Sequence, residues 1–221
     1  MADFKKTPRT KVRRLPERGH YDRGSIYRIL DEGLICHIGF VVDGQPYVIP
    51  TGYVRVGDKI YIHGSPVSRM MNVLENGIEL CLTVTLLDGL VLARSAYHHS
   101  MNYRSVMVFG HAVVVDPPEE REAALRSLVE HVIPGRWKDV RPPNEIEMKA
   151  TRVLAISLRE ASAKIRVGPP QDDAADYGLP VWAGEIPLRL VAGAPRSDPQ
   201  LSGGISVPRY AEAYTRKTKK T

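Results

Sequence analysis

The amino-acid sequence predicts a mainly β, α+β domain, an antiparallel barrel of about six strands with flanking helices. Three observations carry that expectation. Apolar alternating runs recur between short turn signals, chiefly Asp43-Gly44, Gly57-Asp58 and Asp88-Gly89. Helical spacing is confined to a few scattered segments, too few for the crossovers that a parallel sheet needs. No G-x-G-x-x-G follows a strand, which excludes a dinucleotide-binding parallel sheet.

The elements follow in order. In Tyr21–Gly33, Ile26, Ile29 and Leu30 share one helical face, and Gly33 can end the helix. Leu34–Val42 is a strand returned by the Asp43-Gly44 hairpin into QPYVIPTGYVRV, read as one strand. Gly57-Asp58 turns the chain into Lys59–His63. A short helix follows, closed by Asn76-Gly77, and IELCLTVTLLDG is a strand ending at Asp88-Gly89. The run from Leu90 to Asp116 gives two strands around His99–Asn102. Pro117-Pro118 then opens an amphipathic helix stopped by Pro134-Gly135. TRVLAISLREASAKIRVG is a further strand, and from Gly168 prolines and glycines mark an extended crossing segment. The expected organisation is a basic tail over 1–20, one domain over 21–190, and a Pro/Gly-rich, basic tail over 191–221.

The 221-residue chain has a formal net charge of +6. Residues 1–20 contribute +5 and 209–221 contribute +4, leaving the body at about −3. A slightly acidic body does not track a phosphate backbone, so nucleic-acid binding is not expected, and the tails are read as solvated. No apolar run reaches membrane-spanning length, and MADFKKTPRTKVRR lacks the apolar block of a secretory signal. Cys36 and Cys81 lie in strand-like runs and read as reduced, buried thiols of a cytoplasmic protein.

Chemistry concentrates at HGSPVSRM. Ser65 fits a helix N-cap, Pro66 the first helical position and Ser68 the third, with Arg69 beside it. Hydroxyls, unpaired amides and a guanidinium then converge as they would on a phosphate. The stretch is equally consistent with an ordinary capped helix carrying a solvated arginine. Arg104 and Ser105, in NYRSV, offer a second polar contact for the same anion. His63 sits at a strand end where it can face a cleft. The adjacent pair His98 and His99 would point to opposite faces of a strand, and with His37 and His111 they make no metal-ligand spacing, so no metal is expected. A G-x-S-x-G elbow is lacking as well.

The ordered set ICHIGFVVDGQPYVIPTGYVRVGDKIYIHGSPVSRMMNVL, VMVFGHAVVV, SAKIRVG and LPVWAG resembles the FMN-binding split-barrel proteins, in the branch of pyridoxamine 5′-phosphate oxidase and the nitroimidazole-resistance flavoproteins. The resemblance spans roughly Arg14 to Leu188. It implies a six-stranded split barrel and a homodimer with two FMN molecules in clefts between subunits. It implies that Val48, Ile49, Pro50 and Thr51 run beside the isoalloxazine and meet it largely through main chain. It also implies that Ser65, Ser68 and Arg69 hold the phosphate with His63 nearby, and that Lys164 and Trp182 approach the flavin. An FMN-dependent oxidoreductase acting on a small molecule, reduced by a nicotinamide donor, is the leading expectation, with His63 and His99 as candidate proton-handling groups. A flavin or haem carrier or sensor on the same barrel is the alternative, and a cofactor-free binding dimer a third. The basic substrate-phosphate site and C-terminal arginine motif of the B6 oxidases proper have no counterpart in VPRYAEAYTRKTKKT.

Overall fold

The computed structural model describes residues 3–215; the basic run at 216–221, which carries all of the net +4 expected for the C-terminal tail, lies outside them. Eleven strands among the described residues form two antiparallel sheets. The chain passes through β1 (Gly19–His20), α1 (Arg23–Glu32), β2 (Ile35–Val42), β3 (Gln45–Gly52), β4 (Val54–Val56), β5 (Lys59–Gly64) and α2 (Arg69–Glu75). It continues through β6 (Leu80–Leu92), β7 (Ser100–Gly110), β8 (Ala112–Val114), α3 (Pro118–Val132), α4 (Glu145–Lys149), β9 (Arg152–Ser157), β10 (Glu160–Arg166), β11 (Gly184–Pro187) and α5 (Arg209–Glu212). The larger sheet runs β1-β10-β7-β6-β2-β3 with β11 added to β6, and the smaller runs β4-β5-β9-β8. The mainly antiparallel, split-barrel-like class expected from the sequence is present, as two sheets rather than one closed barrel.

The hairpin at Asp43-Gly44 forms because both residues take left-handed backbone, φ 50° and 77°, which matches the twist of the flanking strands. Two runs read as single strands divide. QPYVIPTGYVRV breaks at Tyr53, so β3 stays in the larger sheet while β4 joins the smaller one. The run from Arg152 to Arg166 likewise switches sheets at Leu158, whose N–H donates to the Asp58 carbonyl at 2.9 Å. Both corner residues are buried, and the Tyr53 hydroxyl donates to the Leu30 carbonyl at 2.7 Å. Apolar continuity through a sheet switch is why the sequence shows no break there.

Asp88-Gly89 does not end its strand. β6 runs on to Leu92 across a register shift between Leu87 and Gly89, where β11 lies alongside. Gly89 is needed there, since a Cβ would stand 3.1 Å from the Ile186 carbonyl oxygen.

The core lies between the sheets, with Ile26, Ile29 and Leu30 of α1 packed on Ile38, Leu82, Val106 and Ala163 and on Ile60, Ile62 and Ile156. A smaller cluster joins Ala124 and Leu128 of α3 to Val54, Tyr61 and Val153. The N-terminal segment is not a solvated tail. Phe4 is buried in the main core, its N–H donates to the Tyr21 carbonyl at 2.9 Å, and the Arg23 guanidinium lies 4.5 Å over its ring. The outer face of the larger sheet carries exposed Ile35, His37, Val41, Val48 and Met107.

Candidate functional site

β3 is an edge strand whose only strand partner among the described residues is β2. Val48 and Pro50 point outward, while Tyr47, Ile49 and Thr51 alternate to the half-buried side. The carried-over residues Val48, Ile49, Pro50 and Thr51 therefore share no face. On the free backbone edge the open groups are those of alternate residues, the Val48 N–H and C=O and the Pro50 C=O, since proline has no N–H and the main chain of Ile49 and Thr51 pairs with β2.

The strand-to-helix corner differs from expectation by one turn. Ser65 through Ser68 form a turn closed by the Ser68 N–H to Ser65 carbonyl bond at 3.0 Å. Ser68, not Ser65, is the N-cap, and its hydroxyl accepts the Met71 N–H at 3.3 Å. Arg69 is then the first helical residue, which places its side chain at the head of α2. Pro66 fixes φ inside the preceding turn, so the turn and not the helix occupies its position.

Arg69 is exposed and meets no carboxylate among the described residues. Its guanidinium lies 5.1 Å over the ring of Tyr47, which stacks in turn on Phe40 at 5.6 Å and 16°. The corner and the β3 edge are thus one site, joined by a tyrosine that the sequence analysis did not single out. The signal was available, since Phe40 and Tyr47 are placed symmetrically about the Asp43-Gly44 turn and so face each other.

His63 ends β5 on the same face as Tyr61 and Val153. It is solvent-exposed and has no hydrogen-bond partner among the described residues, and the partial desolvation by neighbouring protein lowers its imidazole from the ordinary histidine range. Three other histidines are occupied. His98 Nε2 is 3.3 Å from Asp173, His99 Nδ1 is 3.0 Å from the Ser95 carbonyl, and His111 Nδ1 is 2.8 Å from the Gly77 carbonyl. His99 lies in the loop joining β6 to β7, not beside His63.

Arg104 is not available to an anion. Its Nη1 and Nη2 donate to Glu32 at 2.6 and 2.8 Å, and its Nε and Nη2 to Asp88 at 2.8 and 2.7 Å. These bonds, to Asp88 first and then Glu32, raise its pKa further. Two carboxylates neutralise it, so it ties α1 to β6 and β7.

Ser105 and Lys164 are cross-strand partners on the outer face, and the Ser105 hydroxyl donates to the Lys164 carbonyl at 3.3 Å. Trp182 is exposed, folded over Gly184 on the crossing segment. β10 lies four strand spacings from β3, about 19 Å along the sheet at ~4.8 Å per strand. One chain therefore does not bring Lys164 to the Arg69 corner. Among the described residues no His, Cys, Asp and Glu cluster is arranged to hold a metal ion, and no helix is long and apolar enough to cross a membrane.

A family model described as pyridoxamine 5′-phosphate oxidase matches residues 22–165. The chain belongs to this family. The match runs from α1 into β10 and takes in every strand but β1 and β11, including the corner and the β3 edge. Among solved structures, the flavocytochrome Anf3 from Azotobacter vinelandii is 41% identical with a TM-score of 0.88, over 93% of this chain and 95% of that one. An FAD and haem binding protein from Mycobacterium smegmatis is 33% identical, TM-score 0.84, over 87% and 95%. A 5-nitroimidazole antibiotic resistance protein from Bacteroides thetaiotaomicron shares the fold at 23% identity and TM-score 0.57, over 66% and 86%. A comparison with curated proteins finds no match.

Proposed function

We propose that this member of the pyridoxamine 5′-phosphate oxidase family is a flavin- and haem-binding oxidoreductase acting on a small molecule. One observation carries the flavin: an exposed, carboxylate-free guanidinium, Arg69, held by Tyr47 beside the free edge of β3. Arg69 would bind the flavin 5′-phosphate by charge-assisted bonds, with the Ser65 and Ser68 hydroxyls donating beside it. The β3 main chain at Val48 and Pro50 would meet the polar edge of the ring. FMN and FAD both carry that phosphate; the name of the 33% identical Mycobacterium smegmatis protein favours FAD over the FMN expected from the sequence.

The same two relatives, by their names, favour haem as a second group. Iron takes a neutral imidazole. His63 fits, since its surroundings disfavour the imidazolium and no protein group engages its ring among the described residues. Bound, the flavin supplies hydride and single-electron chemistry and the haem single-electron chemistry. The chain's own work is to bind, orient and shield them.

A homodimer completes this reading. The exposed apolar outer face of the larger sheet is suited to burial, and a partner is the route by which Lys164 and Trp182 could reach a flavin on Arg69. The free thiols Cys36 and Cys81 suit the reducing cytoplasm.

The test is the absorption spectrum of the freshly purified chain, with light scattering. Flavin bands plus a Soret band, on a particle of twice 24.6 kDa, are expected. His63→Ala should lose the Soret band and keep the flavin. Anaerobic mixing with a nicotinamide donor should bleach the flavin bands; persistence with every donor tried makes the protein a carrier or sensor. A colourless chain that fails to quench added flavin fluorescence refutes the proposal.

A further inference from the structure

Pro66, in the middle of the corner turn, has a second neighbour. It walls a recess of about 290 Å³ together with Val115, and the charged lining of that recess is Asp116, Arg121, Lys149 and Arg152. Three cations therefore face one anion. Arg152 pairs with Glu75 at 2.9 Å, and Arg121 spends one nitrogen on the Met148 carbonyl. Lys149 meets no hydrogen-bonding or ion-pair partner among the described residues.

The placement of Lys149 is built by local sequence. Asn144 and Glu147 form a reciprocal capping box that starts α4, and Arg141 pairs with Glu147 at 2.7 Å. Five residues would not hold a helix alone; these pins fix it, and Lys149 stands in its last turn over the recess.

We infer that this recess takes the adenylate half of FAD, with Lys149 and Arg121 on its phosphate and Pro66 and Val115 against the purine. The inference rests on the flavin reading above and adds which residues of this chain hold the half of FAD that FMN lacks. Riboflavin ends in a hydroxyl and FMN in a single phosphate. FAD alone continues past that phosphate into a second anion and an apolar ring. Past Arg69 the protein offers the matching sequence, a proline of the same turn followed by a cationic pocket. Its volume sits at the small end of ligand sites, about 300 Å³, which suits half a dinucleotide.

The test is fluorescence titration of the flavin-depleted full chain with riboflavin, FMN and FAD, using wild type, Lys149→Glu, Lys149→Arg and Arg69→Ala, and with AMP as competitor. FAD should bind wild type about tenfold or more tighter than FMN. Lys149→Glu should abolish most of that margin and leave FMN unmoved, so FMN binding reports that the variant is folded. Lys149→Arg should restore the margin, and AMP should displace FAD but not FMN. Equal affinities of wild type for FMN and FAD, or equal losses of both in Lys149→Glu, overturn the inference. If FMN and FAD bind alike but both exceed riboflavin by a margin that Arg69→Ala removes, the phosphate corner stands and the recess proposal falls. Failure of every flavin to bind removes both.

Discussion

Arg104→Met replaces a guanidinium by a thioether of similar stem length in the network that joins α1 to the β6–β7 hairpin. Four hydrogen bonds are lost, two to Glu32 and two to Asp88. The arms differ in solvent access. The Glu32 side chain is 9% exposed and that of Asp88 30%. Removing one partner of a buried pair costs about 3–5 kcal/mol, whereas screening leaves exposed pairs at about 0–1 kcal/mol. The Glu32 arm therefore dominates, and a loss of about 3–4 kcal/mol is expected. For a chain of this length that lowers Tm by roughly 6–16 °C, at about 2–4 °C per kcal/mol. Thermal and urea unfolding followed by circular dichroism measure it. Adding Glu32→Gln should recover a substantial part, because the charge left behind in the core is removed. The preference for FMN over riboflavin should not change, since Arg104 does not reach the corner. A loss below about 1 kcal/mol, or no recovery in the double variant, would refute the reasoning.

Three further outcomes are expected. Arg69→Ala should weaken FMN and FAD by about one to two decades, from ~1.5–3 kcal/mol of charge-assisted bonding, and leave riboflavin nearly unaffected; equal losses in paired titrations would assign Arg69 to the ring or the fold. Burial pushes the Cys36 thiol up to about 12, so mass spectrometry should find it unalkylated at neutral pH until the chain unfolds; rapid native labelling would contradict its place in the core. Glu147, held by Arg141 and then the Asn144 N–H, titrates at about 2 instead of 4.5. Its folded pKa is depressed, so its support of α4 is complete above about 4.5 and fades as pH falls towards 2. The amide-exchange protection factor of α4, the rate corrected for intrinsic exchange at each pH, should fall over that window, and at higher pH in Arg141→Ala; a pH-independent protection factor would count against the pins.

Local chemistry made much of this fold legible. The Asp43-Gly44 hairpin is written in two residues, and α1 ends at Gly33 as its spacing requires. α3 begins at Pro118 where the paired prolines announce it. What stayed hidden is what only tertiary context decides. Tyr53 and Leu158 carry the chain between sheets, yet as apolar residues in apolar runs they read as strand interior. Gly89 signals a turn locally, but β11 arriving alongside makes it a bulge in a longer strand. At the site, the polar residues of the corner were visible because hydroxyls and an arginine are rare so close to a strand end. Arg104 looked equally suited to an anion, and nothing near it in sequence shows that Glu32 and Asp88 claim it. Nothing in the sequence marks Tyr47 or Lys149, because their neighbours Arg69 and Pro66 lie far along the chain.

Folding during synthesis must wait for the far end of the domain. Phe4 and β1 are made before the rest of the domain, but among the described residues β1 has its only strand partner in β10, with Gly19 opposite Lys164. Arg9, from the same early segment, pairs with Glu160. These early residues of the domain thus hold an open place in the sheet until nearly the whole barrel has emerged. Pairings this distant are slow to form and leave strand edges exposed meanwhile. The long segment after β10 then acts as a tether: while it is still being made, β10 can already dock between β1 and β7. A stall or truncation before Glu160 should release a chain that chaperones hold, and one after Arg166 a chain with its larger sheet closed on β1.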